Sequence, residues 1–226
     1  ENPKRVSDQN PFVCEPEPST KETPIVKNLL WSQVYIPRNS SELLANESEI
    51  SRLRRWLRGF AQPLSSSKLF QRSRIAIVSG PSSSGKLTSV RLLSSEEGFE
   101  VISEKTDLVR RSLLRGKRYI EIVDEPSSSV LKKLFEESSS HPVVCVFRAK
   151  PEHHFKPLLK NCLELRFSQP SKYEAVPFLL KVVESELANP NLGHQITELV
   201  ASTFESNQRD LRKTLNELQF WLQGDS

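Results

Sequence analysis

The sequence predicts an α/β fold, a five-stranded parallel sheet with crossover helices, followed by a small all-helical lid. Three observations predict it. Short β-branched apolar runs alternate with helical segments between residues 74 and 167, the signature of a parallel sheet wound with helices. From Ser171 onward the strand-like runs stop and three amphipathic helices follow, each with apolar residues at helical spacing. The first strand candidate also runs directly into Gly80-Pro81-Ser82-Ser83-Ser84-Gly85-Lys86, a GxxxxGK pattern between strand and helix.

The elements follow in order. Residues 1–28 carry Pro3, Pro11, Pro16, Pro18 and Pro24 with little periodic apolar pattern, which predicts an extended or disordered leader. Order begins near Leu29-Leu30-Trp31. A helix is expected over 47–60, with Asn46 as cap, Glu49 three residues on as in a capping box, and Ile50, Leu53 and Leu57 on its apolar face. Arg52, Arg54, Arg55 and Arg58 occupy the remainder, and Pro63 with Ser65-Ser66-Ser67 breaks the chain.

The strand candidates are 74–79, 100–103, 119–123, 143–147 and 163–167, with helices at 86–96, 107–115, 129–137 and 154–160. The lid helices read as 172–188, 193–205 and 209–222, separated by Asn189-Pro190-Asn191 and Ser206-Asn207-Gln208. The organisation is therefore a leader over 1–28, an α/β nucleotide-binding domain over 29–168 and a helical lid over 169–226.

Composition narrows the classes. The 226 residues hold 32 Lys+Arg against 28 Asp+Glu, a net charge of +4, which permits a polyanionic partner without requiring one. No apolar run approaches the roughly 18–20 residues of a membrane span, and no signal-peptide pattern starts the chain. The expectation is a soluble intracellular protein with no membrane partner. Cys14, Cys145 and Cys162 are an odd number without CxxC or Cys/His spacing, so neither a disulfide framework nor a zinc site is expected, and the latter two read as buried thiols. A chain that opens Glu-Asn-Pro and holds no Met is expected to be part of something longer. Its 32 Ser include triplets at 65–67, 82–84, 127–129 and 138–140.

The chemistry centres on the loop at 80–86. A loop of this kind wraps a phosphate with backbone N–H groups at a helix N-terminus, while Lys86 neutralises β/γ oxygens. Leu87 stands where a Ser or Thr hydroxyl ordinarily binds Mg²⁺, and Thr88 is one step round the helix, roughly 100° away. The third strand ends Val123-Asp124-Glu125, two acids at the sheet's C-terminal edge. In a P-loop ATPase Asp124 would enter the metal shell and Glu125 would orient and deprotonate the attacking water. The last helix begins Asp210-Leu211-Arg212, where an Arg on a lid can touch the γ-phosphate and report the nucleotide state. A helical ion pair is the local alternative.

The order Trp31…Tyr35-Ile36-Pro37, P-loop, Asp124-Glu125, Cys162-Leu-Glu-Leu-Arg-Phe-Ser-Gln-Pro170 and Asp210-Leu-Arg-Lys-Thr-Leu-Asn-Glu-Leu-Gln-Phe-Trp221 resembles the AAA+ module of clamp-loader large subunits, the replication factor C group. It covers about residues 29–223. Leu30-Trp31 through Pro37, Ser41 through Glu47, and above all Leu218-Gln219-Phe220-Trp221 are similar to the Elg-type (ATAD-type) subunit that removes the PCNA sliding clamp from DNA. The checkpoint clamp loader, which acts on the heterotrimeric 9-1-1 clamp, shares much of the pattern.

The resemblance implies a P-loop AAA+ module that binds ATP or ADP in a nuclear heteropentamer with small replication factor C subunits, acting on PCNA and DNA. It implies phosphate binding by Lys86, an acidic pair at Asp124 and Glu125, a second sensor at Arg212, and Tyr35 and Pro37 against the adenine. Three departures stand out: Leu87, Arg148 where a polar sensor is usual, and Arg209 where Gly is usual. Leu87 makes the Walker A motif degenerate, and Leu87 and Arg148 together count against ATP hydrolysis in this subunit, which keeps open a scaffold that binds nucleotide without hydrolysing it; ATPase activity is expected only in the complex, where a neighbouring subunit supplies an arginine finger. Arg110, Arg111, Arg115, Lys117 and Arg118 are candidate DNA-backbone contacts or a solvated basic face. Val130, Leu131, Leu134 and Phe135 are candidate clamp anchors or sheet-packing residues.

Overall fold

The computed structural model describes residues 29–61, 74–102, 118–136, 141–150, 162–188 and 193–223. Its elements are α1 (Trp31–Val34), a 3₁₀ turn at Ser40–Glu42, α2 (Glu47–Ala61), β1 (Ile75–Ser79), α3 (Lys86–Glu96), β2 (Phe99–Ile102), β3 (Arg118–Asp124), α4 (Ser128–Glu136), β4 (Val143–Phe147), β5 (Leu163–Arg166), α5 (Lys172–Leu187), α6 (His194–Ser206) and α7 (Leu211–Gln223). The leader and the helices expected at 107–115 and 154–160 lie outside the described residues, as do the breaks at 63–67 and 189–191.

The five strands form one sheet in the order β2-β3-β4-β1-β5, and every neighbouring pair is parallel. β1 and β4 are buried along their whole length, as parallel strands covered on both faces must be. Alternation sorts their side chains. Ala76, Val78, Val144 and Val146 pack with Leu53 and Leu57 of α2 and Val90 and Leu93 of α3. Ile75, Ile77, Val143 and Cys145 meet Leu131 and Leu134 of α4 on the opposite face. That contact decides the reading of α4: Leu131 and Leu134 are buried on the sheet and Phe135 is packed against it, so of the four expected anchors Val130 alone counts as exposed, at 38%.

Helices α5 to α7 bury a separate cluster that includes Leu179, Val183, Phe204, Leu215 and Leu218. Trp31, 1% exposed, belongs to this cluster and not to the core beside the sheet. Its backbone N–H donates to Gln219 Oε1 at 2.7 Å. The segment leading into the sheet thus reaches across to the last helix.

Local chemistry explains the helix ends, with one correction. Asn46 and Glu49 do not form a capping box on α2: Asn46 has φ 67°, its carbonyl accepts from Ile50 N–H, and its side chain is used elsewhere. Glu49 instead pairs with Arg52 at 3.7 Å. The capping box lies on α5, where Glu174 Oε2 accepts from the Ser171 N–H and hydroxyl, both at 2.7 Å. These bonds hold the Glu174 carboxyl below its usual pKa. The triplet 127–129 has a similar use: Ser127 Oγ accepts from Val130 N–H at 3.4 Å, in the first turn of α4. Burial pushes the Cys145 thiol up to about 12, so it stays protonated and inert, as expected of a core cysteine; Cys162 is half-buried and, like Cys145, in no disulfide.

Candidate functional site

β1 delivers the chain to the P-loop at the carboxyl edge of the sheet, between β4 and β5, where the strand order changes direction and α/β sheets bind ligands. Two glycines allow the turn. Gly80 has φ 152°, and a Cβ there would lie 2.2 Å from the Phe167 carbonyl oxygen. Gly85, at φ 80°, immediately precedes α3, and Ser83 is also left-handed at φ 57°. Alternating backbone hands of this kind make anion-binding concavities. The third serine of the loop has a definite role as well: Ser84 is buried and donates to Pro81 O at 2.8 Å.

Lys86 opens α3 and is 8% exposed. Its ammonium donates to Gly80 O at 2.7 Å, Pro81 O at 2.5 Å and Ser84 Oγ at 3.3 Å. Burial pulls its pKa below the usual lysine value, against the opposing influence of Glu125 and Asp124, while Arg148 pushes in the same direction as burial. Leu87 is half-buried and packs against the core beside the sheet. Thr88 and Ser89 line the adjoining pocket instead, so the side chain that lacks the hydroxyl does not block the site.

Asn46 is the residue that sequence reasoning placed in the wrong role. Its amide joins three segments: Oδ1 accepts from Ser168 N–H at 2.8 Å, and Nδ2 donates to Ser168 O at 2.9 Å and to Ser84 O at 3.4 Å. It ties the P-loop to the exit of β5. Asn46→Ala is expected to lower stability by about 1–3 kcal/mol, since it removes these bonds and puts Ala at positive φ; thermal unfolding checks this.

The pocket beside the loop is lined by Tyr35, Ile36 and Pro37, by Ser83, Ser84, Gly85, Thr88 and Ser89, and by Pro170, Phe178, Leu211 and Arg212. The structure therefore gathers Tyr35, Pro37, the loop and Arg212, which are far apart in sequence. The Tyr35 hydroxyl itself donates to Glu186 Oε1 at 2.8 Å; burial and that carboxylate push its pKa up to about 12. Asp210 caps α7, accepting from Lys213 N–H at 3.0 Å. Arg212 thus sits in the first turn, where a cation opposes the helix dipole, and it lines the pocket. The turn before it places Arg209 at φ 62°, the backbone conformation that makes Gly usual there.

Asp124 ends β3 and Glu125 follows at φ 47°. Glu125 N–H donates to Val146 O at 2.9 Å, and Glu125 Oε1 accepts from Arg148 N–H at 2.6 Å with Arg148 Nε 3.7 Å away. The acid expected to activate water is thus held by Arg148, immediately after β4.

The loop geometry, the buried Lys86 and the adjoining pocket fit a nucleotide phosphate. The donors fit Mg²⁺ poorly: Leu87 offers none, one Glu125 oxygen is engaged, and among the described residues no group of three His, Cys, Asp or Glu could hold a metal. Of the basic run, Arg110, Arg111, Arg115 and Lys117 lie outside the described residues, and Arg118 stacks 5.3 Å over the Phe99 ring. Among the described residues no helix is long and apolar enough to cross a membrane.

A family profile described as the Rad17 P-loop domain matches residues 26–118. The chain is 25% identical over 219 residues to the replication factor C large subunit of Methanosarcina mazei, covering 84% of this chain and 33% of that protein. It is 23% identical over 248 residues to replication factor C subunit 1 of Oryza sativa, covering 85% and 23%. Over 73 residues, 32% of this chain and 11% of the relative, it is 34% identical to checkpoint protein rad17 of Schizosaccharomyces pombe. The chain spans about a quarter to a third of the length of the large-subunit relatives it matches. The chain is thus similar to replication factor C and Rad17 proteins, its five-stranded parallel sheet with a P-loop is the fold of a P-loop AAA+ domain, and the P-loop implies nucleotide binding.

Proposed function

We propose that this chain, an RFC-like AAA+ module, is the nucleotide-binding part of a clamp-loader large subunit, with an α/β domain over 29–168 and a helical lid over 169–226. The observation that carries the reading is the pocket shared by Tyr35–Pro37, the P-loop and Arg212. The loop and Lys86 hold the β/γ phosphates of ATP or ADP, Tyr35–Pro37 lie along the base, and Arg212 reaches the terminal phosphate from the lid. Because Trp31 joins the segment carrying Tyr35–Pro37 to α7, lid position and nucleotide contact move together. The nucleotide state would thereby set the shape of a nuclear heteropentamer with small replication factor C subunits, gripping a ring clamp and the DNA backbone.

Asp124 would serve as a metal ligand and Glu125 as the base that deprotonates water, but the hold of Arg148 on Glu125 supports binding, more than hydrolysis, as the contribution of this subunit. In single-turnover ATPase measurements on the reconstituted pentamer, Glu125→Gln should leave the rate unchanged; a large fall would show that this site hydrolyses ATP.

Two clamps are consistent with such a module. The Rad17 profile and the rad17 segment of 34% identity favour a checkpoint loader acting on the 9-1-1 heterotrimer. The Leu218-Gln219-Phe220-Trp221 ending favours PCNA unloading. Pull-down of the assembled pentamer with each clamp separates them: capture of the heterotrimer alone supports the first, and capture of PCNA alone supports the second.

A further inference from the structure

Three features of the site converge on its charge balance. The position that ordinarily presents a metal-binding hydroxyl is Leu87, whose partly buried side chain packs against the core beside the sheet. β4 runs beside β1 so that Gly80 N–H, at the start of the P-loop, donates to Phe147 O at 3.2 Å. Arg148 is the next residue, so its side chain leaves the sheet beside the loop. That side chain is 82% exposed, and its guanidinium carries five N–H donors, of which Nε faces Glu125 3.7 Å away. That Arg148 adds to the lowering of the Lys86 pKa, behind burial, agrees with this placement.

Resting on the nucleotide-binding reading, we infer that Arg148 takes the place of the divalent cation: the site binds a nucleoside triphosphate without magnesium, with the Arg148 guanidinium on a terminal phosphate oxygen. A planar fork of donors suits phosphate. Glu125 serves as the resting partner of Arg148 and gives up the guanidinium to the phosphate while retaining the backbone N–H of residue 148. No bond is made or broken in this exchange.

The test is a fluorescence titration of the purified chain with mant-ATP, in buffer with magnesium and in buffer with EDTA. The wild-type affinity should agree within about twofold between the two buffers. Arg148→Ala and Arg148→Gln keep the backbone N–H to Glu125, and either should bind about tenfold or more weakly in EDTA, the loss of one charge-assisted contact. Arg148→Ala with Leu87→Thr should bind better with magnesium than with EDTA, as the restored hydroxyl provides a metal ligand. A wild-type affinity that falls about tenfold or more in EDTA overturns the inference, as does an Arg148 variant that binds as the wild type does. Binding in neither buffer has a different meaning: it defeats the nucleotide-binding reading itself.

Discussion

Lys86→Met is expected to weaken mant-ATP binding by roughly 30–150-fold, the loss of about 2–3 kcal/mol from a charged hydrogen-bond donor to phosphate. The same substitution should not lower, and is expected to raise, the thermal stability of the nucleotide-free chain near neutral pH. The reason is linkage. Burial lowers the Lys86 pKa in the folded state, so between the folded and unfolded pKa values the unfolded chain binds more protons and stability rises with pH. Below that window the folded state carries the full cost of a buried ammonium, only partly offset by Gly80 O, Pro81 O and Ser84 Oγ. Methionine removes the charge and keeps the stem. Urea unfolding from neutral to alkaline pH checks both parts: the wild type gains stability as pH climbs toward the lysine range, and the variant loses that gain. A Lys86→Met chain that binds nucleotide normally contradicts the assigned phosphate site.

Gly80→Ala is expected to cost more than about 3 kcal/mol, a fall in Tm of about 6–12 °C or more for a chain of this size. The added Cβ would lie 2.2 Å from Phe167 O and 3.0 Å from its carbonyl carbon. Both are backbone atoms just beyond β5, and the Phe167 N–H donates to Ser79 O at 2.7 Å. Relief of the clash therefore requires opening the β1–β5 edge that positions the loop. Gly193→Ala is the control, since nothing lies within 4 Å of its added Cβ and it precedes α6 with φ −63°; it should change stability by no more than about 1 kcal/mol. Equal effects at the two glycines would show that close backbone approach at Gly80 is unimportant.

Much of this architecture is written in local pattern. Uninterrupted apolar runs at 75–78 and 143–147, bounded by turn signals, suit central parallel strands, and the observed strands contain those runs. The P-loop was legible because two glycines, a lysine and the strand-to-helix transition fall at fixed spacing. Long-range choices were less legible. Asn46 stands where a helix cap belongs, yet a neighbouring loop and strand exit offer its amide better partners, and no local rule distinguishes the two uses. Trp31 precedes the sheet in sequence but packs with α5 to α7, and no local pattern shows which apolar face receives it. The apolar stripe of α4 is the same whether it packs on the sheet or on a partner, and only the burial of Leu131 and Leu134 decides. Arg148 is visible in the sequence as an unusual residue for its position, but its hold on Glu125 depends on β3 and β4 lying side by side.

The central claim is that one nucleotide is held jointly by the P-loop, the Tyr35–Pro37 segment and the lid. A crystal structure of the chain with a non-hydrolysable ATP analogue tests it most directly. The expected result is phosphates on the backbone amides of residues 80–86 with Lys86 turned from Gly80 O and Pro81 O onto them, the base against Tyr35–Pro37, and Arg212 at the terminal phosphate. An analogue bound elsewhere, or a P-loop still closed on Lys86 at saturating analogue, would contradict it.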